Sequence, residues 1–190
     1  MTVALRSATL DDVAFLADVV ITATRAQGRF GNDVDEAAYR AGYEDWTRET
    51  VLGHIPDCSL SVIEQDGPSP LRRTRRRWPH LRCASLLIAS GSTVASSARP
   101  KTTKSVGFVA VRLHQADRMG EISVLAVDPD AQGRRVGGAL TAFALDRMQA
   151  AGMAVAMVET GGDPGHAPAR HTYEKQGFQL FPVARYFQKL

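Results

Sequence analysis

Apolar positions change their spacing several times along this chain, and each change marks an element. Val3 to Ser7 reads as a short strand. Thr9 then stands as an N-cap with Asp11 and Asp12 in a first turn favoured by the helix dipole, and Val13, Leu16, Val20 and Thr24 recur at helical spacing until Gly28. Asp35 to about Gly53 repeats the pattern, with Tyr39, Tyr43 and Trp46 sharing a face. Cys58 to Gln65 predicts a strand ending in Asp66-Gly67, a dipeptide suited to a tight hairpin turn. Its return strand is Ser105 to Leu113, through Val106, Phe108, Val109 and Val111. Glu121 to Val127 is the next strand, which Pro129 stops, and a helix follows through Val136, Leu140, Phe143 and Ala144 to Gly152. Met153 to Glu159 predicts a strand, Pro168 to Gln176 a short helix closed by Gly177, and Phe178 to Lys189 a terminal pair of strand segments.

Strands and helices thus alternate in a mixed α/β chain whose 190 residues suit a single domain, 1–190. The delayed return strand leaves residues 67–104 as an insertion between the second and third strands, inexpensive because closure entropy grows only logarithmically with loop length. That insertion changes the charge picture. It holds nine Arg or Lys and no acidic residue; subtracting these from 23 basic residues leaves 14 against 20 acidic, so the remainder is at −6 although the whole chain is at +3. Arg72-Arg73-Thr74-Arg75-Arg76-Arg77-Trp78 has the composition of a phosphate- or acid-binding patch, but the Ser-, Ala- and Thr-rich sequence after it has little periodicity and reads as a surface loop. Nucleic acid is therefore not the expected partner. No run of about 18 apolar residues suggests a membrane span, and the N-terminal residues lack a secretory pattern, so a cytoplasmic location is expected. Cys58 and Cys83 read as inert thiols, and His54, His80, His114 and His171 show no metal-ligand spacing. No metal is expected.

The most informative stretch is Val127-Asp128-Pro129-Asp130-Ala131-Gln132-Gly133-Arg134-Arg135-Val136-Gly137-Gly138, which joins a strand to a helix through a Gly-rich turn bearing two arginines. Unpaired N–H groups at a helix start, backed by the macrodipole, bind phosphate. A P-loop would need Lys-Ser or Lys-Thr where Ala139-Leu140 stands, and the glycines do not spell the dinucleotide fingerprint. What remains resembles the GNAT superfamily of N-acetyltransferases, whose pyrophosphate signature is Gln/Arg-x-x-Gly-x-Gly/Ala. Gln132 and Gly137 fit it, and Arg135 stands at its middle Gly. An Arg is expected to be tolerated there because a residue inside a helical first turn needs no positive φ. A second segment, Ala169-Arg170-His171-Thr172-Tyr173-Glu174-Lys175-Gln176-Gly177-Phe178, resembles the family's Asn-x-x-Ala-x-x-x-Tyr-x-x-x-Gly-Phe, with His166 in place of the Asn.

The resemblance implies a mixed, mostly antiparallel twisted sheet flanked by helices on both faces, acetyl-CoA as co-substrate, and transfer to a primary amine by direct attack in a ternary complex. It assigns cofactor contacts to Leu125, Ala126 and Val127 through strand N–H groups freed by a bulge, to Gln132, Gly133, Arg134, Arg135, Val136, Gly137 and Gly138 for the pyrophosphate, and to His166 and Ala169. Glu121 would be the general base and Tyr173 the general acid for the departing thiolate. Without that role, Glu121 would be a solvent-facing strand-end carboxylate and Tyr173 a tyrosine packed on Phe178. Within the terminal run, Phe181 and Tyr186 are the substrate-lining candidates. The acceptor amine, small molecule or protein, is not written in the chain, and a homodimer stays open. A non-catalytic acyl-CoA sensor, or a nucleic-acid adaptor using the Arg-rich insertion, is the alternative.

Overall fold

The computed structural model describes residues 3–26, 35–66, 103–184 and 188. Five strands form one sheet in the order β1-β2-β3-β4-β5: β1 Val3–Ser7, β2 Cys58–Asp66, β3 Thr103–His114, β4 Met119–Val127 and β5 Val155–Val158. The first four are antiparallel neighbours and β5 runs parallel to β4. Helices α1 Val13–Ala26 and α2 Glu36–Val51 cover one face, and α3 Val136–Ala150 the other, with α4 Ala167–Lys175 beside it. This is the mixed, mostly antiparallel sheet with helices on both faces that the resemblance implies. Residues 67–102, which hold the Arg-rich patch, lie outside the described residues; β2 and β3 pair on either side of them.

The two faces have separate cores. Leu16, Val19 and Val20 of α1 pack on Leu60, Val62, Phe108, Ala110 and Ala126, whereas Val136, Leu140, Ala144 and Met148 of α3 pack on Ile63, Val109, Val111 and Ile122. Gly107 sets how closely α3 approaches: a Cβ there would stand 2.9 Å from the Ala126 carbonyl oxygen and 3.3 Å from Leu140 Cδ1. The sheet carries two register irregularities. On β3, Ile63 opposes Gly107 while Glu64 opposes Ser105, leaving Val106 as the extra residue; on β4, Ala110 opposes Val124 while Val111 opposes Ile122, leaving Ser123 extra.

One expected element is absent. Phe178 to Ala184 carries no strand, so the terminal strand pair is corrected for these residues, while 185–187 and 189–190 lie outside the described residues. Pro182 removes a donor from the middle of the segment, and Leu180, Phe181 and Val183 are largely exposed. The predicted β5 is also shorter than expected, Val155–Val158 instead of 153–159.

The N-terminal end is fastened by charge. Asp12 is 5% exposed, takes two hydrogen bonds from Arg6 at 2.7 and 2.8 Å, and accepts from the Thr9 backbone N–H at 2.8 Å; Arg6 also donates to Glu64 at 2.7 Å. Burial alone would raise the Asp12 carboxyl, but the Arg6 and Thr9 hydrogen bonds outweigh it and hold the group below the ordinary carboxylate range. A depressed carboxyl contributes stability above its unfolded-state value and loses it as pH falls through its native value. Asp12→Asn is therefore expected to cost about 1–3 kcal/mol at neutral pH and to flatten the acid limb of the melting temperature plotted against pH. An unchanged acid limb in the variant would assign that limb to other groups.

Candidate active site

The Gly-rich turn is built from both sides. Asp128 accepts from the Asp130 N–H at 2.9 Å and starts the 3-10 turn Pro129–Ala131, which buried Ala131 anchors in the α3 core. Gln132 turns its side-chain amide back to donate to the Val127 carbonyl oxygen at 3.3 Å. Gly133 at φ 71° and Arg135 at φ 66° are both left-handed and flank Arg134, so the chain curls into a concave run of backbone N–H groups. The expectation that Arg135 needs no positive φ is corrected here. Arg135 is the N-cap of α3 and not a residue of its first turn, so it occupies a conformation that costs an L side chain roughly 1–2 kcal/mol. No side chain caps α3, and its first intrahelical bond runs from Ala139 N–H to the Arg135 carbonyl at 3.1 Å. The N–H groups of Val136, Gly137 and Gly138 consequently have no partner inside the helix. Exposed Arg134 and Arg135 stand beside them. The α4 end packs close by: a Cβ at Gly137 would stand in ordinary contact with Thr172 Cγ2 at 3.8 Å and one at Gly138 with Gln176 Nε2 at 3.6 Å.

Strand β4 leads into this turn and is open along half its length. β5 pairs with Met119 to Ile122 and ends there, with Val158 opposite Ile122. Ser123 begins the change of course, and Val124 to Val127 retain only β3 as a strand neighbour. The Asp128 N–H donates to the Val106 carbonyl at 2.9 Å, so alternation turns the N–H groups of Ala126 and Val124 toward β3 and those of Leu125 and Val127 away from it. Ala126 is 7% exposed with its side chain under α1, which separates it from the two outward-facing neighbours.

At the other end of β4, Glu121 is half-buried and its Oε2 lies 2.9 Å from His114 Nε2. An ionised carboxylate can only accept, so the ring N–H donates. His114 had read as an isolated surface histidine. The signal that would have found it is the hairpin register, since His114 opposes Met119 across a four-residue turn and Glu121 follows two positions later on the same face. An open hollow of about 600 Å³ adjoins the pair, lined by Asp57, Arg112, His114 and Asp117 among others. Tyr43 Oη and Ser123 Oγ are sealed from solvent without a hydrogen-bond partner.

Tyr173 is 8% exposed on α4, edge-on to Phe178 with ring centroids 5.9 Å apart. The packing contact is therefore real, and it leaves the hydroxyl without a described partner. Burial raises the phenol, so it stays protonated at neutral pH. His166 is buried at the start of α4, its Nδ1 2.6 Å from Asp163 Oδ2, while Arg170 donates to the Asp163 carbonyl at 2.8 Å and also to that of Gly161. Ala169 is half-buried on the same helix. Phe181 is 81% exposed, and Tyr186 lies outside the described residues.

A mixed sheet opened beyond the middle of β4, ending in an uncapped helix with a concave amide run, is a frame for a diphosphate-bearing acyl carrier. The pattern of the Acetyltransferase (GNAT) family matches residues 64–178, more than half of the chain, and the protein belongs to that acetyl-CoA-dependent acyltransferase family. Over 78 residues it is 49% identical to a mycothiol acetyltransferase of Sanguibacter keddieii, covering 38% of this chain and 24% of that protein. Over 157 residues it is 31% identical to the mycothiol acetyltransferase of Mycobacterium leprae, covering 73% and 47% respectively. The chain thus spans between about a quarter and a half of the length of these curated relatives. Among solved structures, a PaiA N-acetyltransferase from Thermoplasma acidophilum in complex with coenzyme A superposes with a TM-score of 0.66 at 13% identity, over 97% of this chain and 94% of that one. A predicted acetyltransferase from Clostridium acetobutylicum with acetyl-CoA gives 0.62 at 9% identity, over 98% and 96%. At these identities the likeness bears on the fold.

The uncapped α3 start beside Arg134 and Arg135 and the outward N–H groups of Leu125 and Val127 are therefore hydrogen-bond donors left without a strand or helix partner. Arg135→Gly is expected to keep the turn and raise stability by up to about 1 kcal/mol, read by thermal or urea denaturation. A lower stability would show that the Arg135 side chain holds the turn.

Proposed function

We propose that this domain transfers the acetyl group of acetyl-CoA to a primary amine by direct attack within a ternary complex. The observation that carries the reading is that one strand, β4, has a carboxylate–histidine pair near its start, strand-free amides beyond Ile122, and the anion cradle at its end. When bound, acetyl-CoA supplies an activated thioester. The run from Gln132 to Gly138 holds the diphosphate, with Arg134 and Arg135 adding charge; Leu125 and Val127 N–H groups receive the acetyl and pantetheine oxygens, with His166 and Ala169 of the α4 end beside them. Glu121, oriented by His114, takes the proton of an amine whose ordinary pKa of about 10.4 keeps it charged at neutral pH. The amine nitrogen bonds the acetyl carbon, the carbon–sulfur bond breaks, and Tyr173 gives its proton to the departing sulfur; the second amine proton leaves the nitrogen as the amide forms and restores the Tyr173 hydroxyl.

The mycothiol acetyltransferase relatives support acetyl transfer as the activity. Because the chain spans less than half of their length, their acceptor does not carry over.

Thiol release from acetyl-CoA in the presence of a panel of amines tests the reading, alongside a titration with coenzyme A. Glu121→Gln is expected to lower kcat/KM about 10²–10⁴-fold, with part of the loss recovered at alkaline pH, where the amine sheds its proton unaided. Tyr173→Phe is expected to lower kcat about 10²-fold with coenzyme A affinity retained. Full turnover in Tyr173→Phe removes the acid from that residue, and absence of saturable coenzyme A binding removes the whole reading.

A further inference from the structure

The hollow lined by His114, the partner of Glu121, also holds a cation, Arg112, that the reaction described above does not use. Cys58, Arg112 and Glu121 lie in one row across β2, β3 and β4, each directly opposite the next, and so share a sheet face. Direct opposition in an antiparallel pair brings Cβ atoms to about 5 Å, close enough for Arg112 and Glu121 to meet. They form no salt bridge, because the Glu121 carboxylate is turned to His114 instead. Asp57 and Asp117 line the same hollow, yet among the described residues no carboxylate lies within salt-bridge reach of Arg112. It hydrogen-bonds the Cys58 thiol, which burial raises and the guanidinium draws partly back. A thiol does not neutralise a half-buried guanidinium. Arg6, Arg25, Arg40 and Arg48 are each paired with carboxylate; Arg118, Arg134, Arg135 and Arg147 are not but are exposed, and half-buried Arg170 is held by two backbone carbonyls.

Resting on the acetyltransferase reading, we propose that Arg112 is an acceptor-specificity residue and that the acceptor is an α-amino carboxylate. Its amine is delivered to Glu121 while its carboxylate is taken by Arg112. The geometry is matched in scale: the two protein groups are neighbours across one strand pair, and the amine and carboxylate of an α-amino acid are attached to one carbon. A guanidinium presents a planar fork of donors that fits a carboxylate in bidentate fashion. A simple diamine would leave the Arg112 cation uncompensated in the same hollow, which disfavours it.

The test compares initial rates with acetyl-CoA for glycine, alanine, leucine, glutamate and lysine, each beside its own α-carboxamide. A charged hydrogen bond of this kind is expected to favour the acid over its amide by roughly 10–100-fold in kcat/KM. Arg112→Ala should abolish that preference mainly through KM for the acid, and Arg112→Lys should restore part of it. Equal rates for acid and amide in the unaltered protein, or a preference that survives in Arg112→Ala, overturns the proposal. Coenzyme A titration of each variant keeps the two readings apart: intact coenzyme A binding with acetylation of amines that lack a carboxylate sinks the assignment to Arg112 alone, whereas loss of coenzyme A binding in the unaltered protein sinks the acetyltransferase reading itself.

Discussion

The site depends on the short pairing between β4 and β5. Four residues, Met119 to Ile122, tie β4 to its parallel neighbour, and the next residue is the extra one at Ser123. Had the ladder continued, the outward N–H groups of Leu125 and Val127 would be spent on β5 and no strand amide would remain for a ligand. A bulge is a local cost, and here the two cores on either side of the sheet hold it in place. Ile122 sits in the α3 core and Val124 packs against the α1 core, so the residues on both sides of Ser123 are fixed by burial on opposite faces. The bulge cannot slide by one position without moving an apolar side chain from one core to the other.

The same extra residue decides which chemistry meets which surface. Simple alternation from Glu121 would put Ile122 on one face, Ser123 on the other, and Val124 back with Ile122. Instead Glu121 and Val124 share the α1 side and Ile122 and Leu125 the α3 side. Glu121 is thereby kept on the face where β3 offers His114 and Arg112, while the amides of Leu125 and Val127 open toward the side that leads to the cradle. The carboxylate and the outward amides of one strand thus occupy separate stretches of it, on either side of Ser123.

Much of this was legible in the sequence because it rests on local periodicity. Helical spacing of Val13, Leu16 and Val20, the Asp35 cap, the strand after the insertion and the stops at Gly152 and Gly177 are all decided by neighbours a few residues away. The Gly-rich turn was legible for the same reason. The left-handed state of Arg135 was not, because whether a residue is the cap or already inside the first turn shifts by a single position that propensity does not resolve. The His114–Glu121 pair and the Cys58–Arg112–Glu121 row were missed because they are matters of register between strands. The absent terminal strands mark the opposite error: alternation in Phe178 to Ala184 suggested pairing, but a strand needs a partner, and these residues have none among those described.

The cradle and the acid–base end obey different physical demands, which explains why one resembles a family signature and the other does not. Holding a diphosphate needs main-chain N–H groups at a fixed curvature, and few backbone paths supply it, so Gln132 and Gly137 stand at a recognisable spacing. Even there the constraint is on conformation, not identity: Arg135 meets it at a strain cost and offers a charge in return. Proton transfer needs a carboxylate of suitable orientation near the open strand, and any neighbour that can donate one hydrogen bond can supply that orientation. His114 does so from the adjacent strand. The turn into α3 is thus set by backbone conformation, whereas the row Cys58, Arg112 and Glu121 is set by the register of β2, β3 and β4, and under the proposal made above it is that row on which acceptor choice would turn.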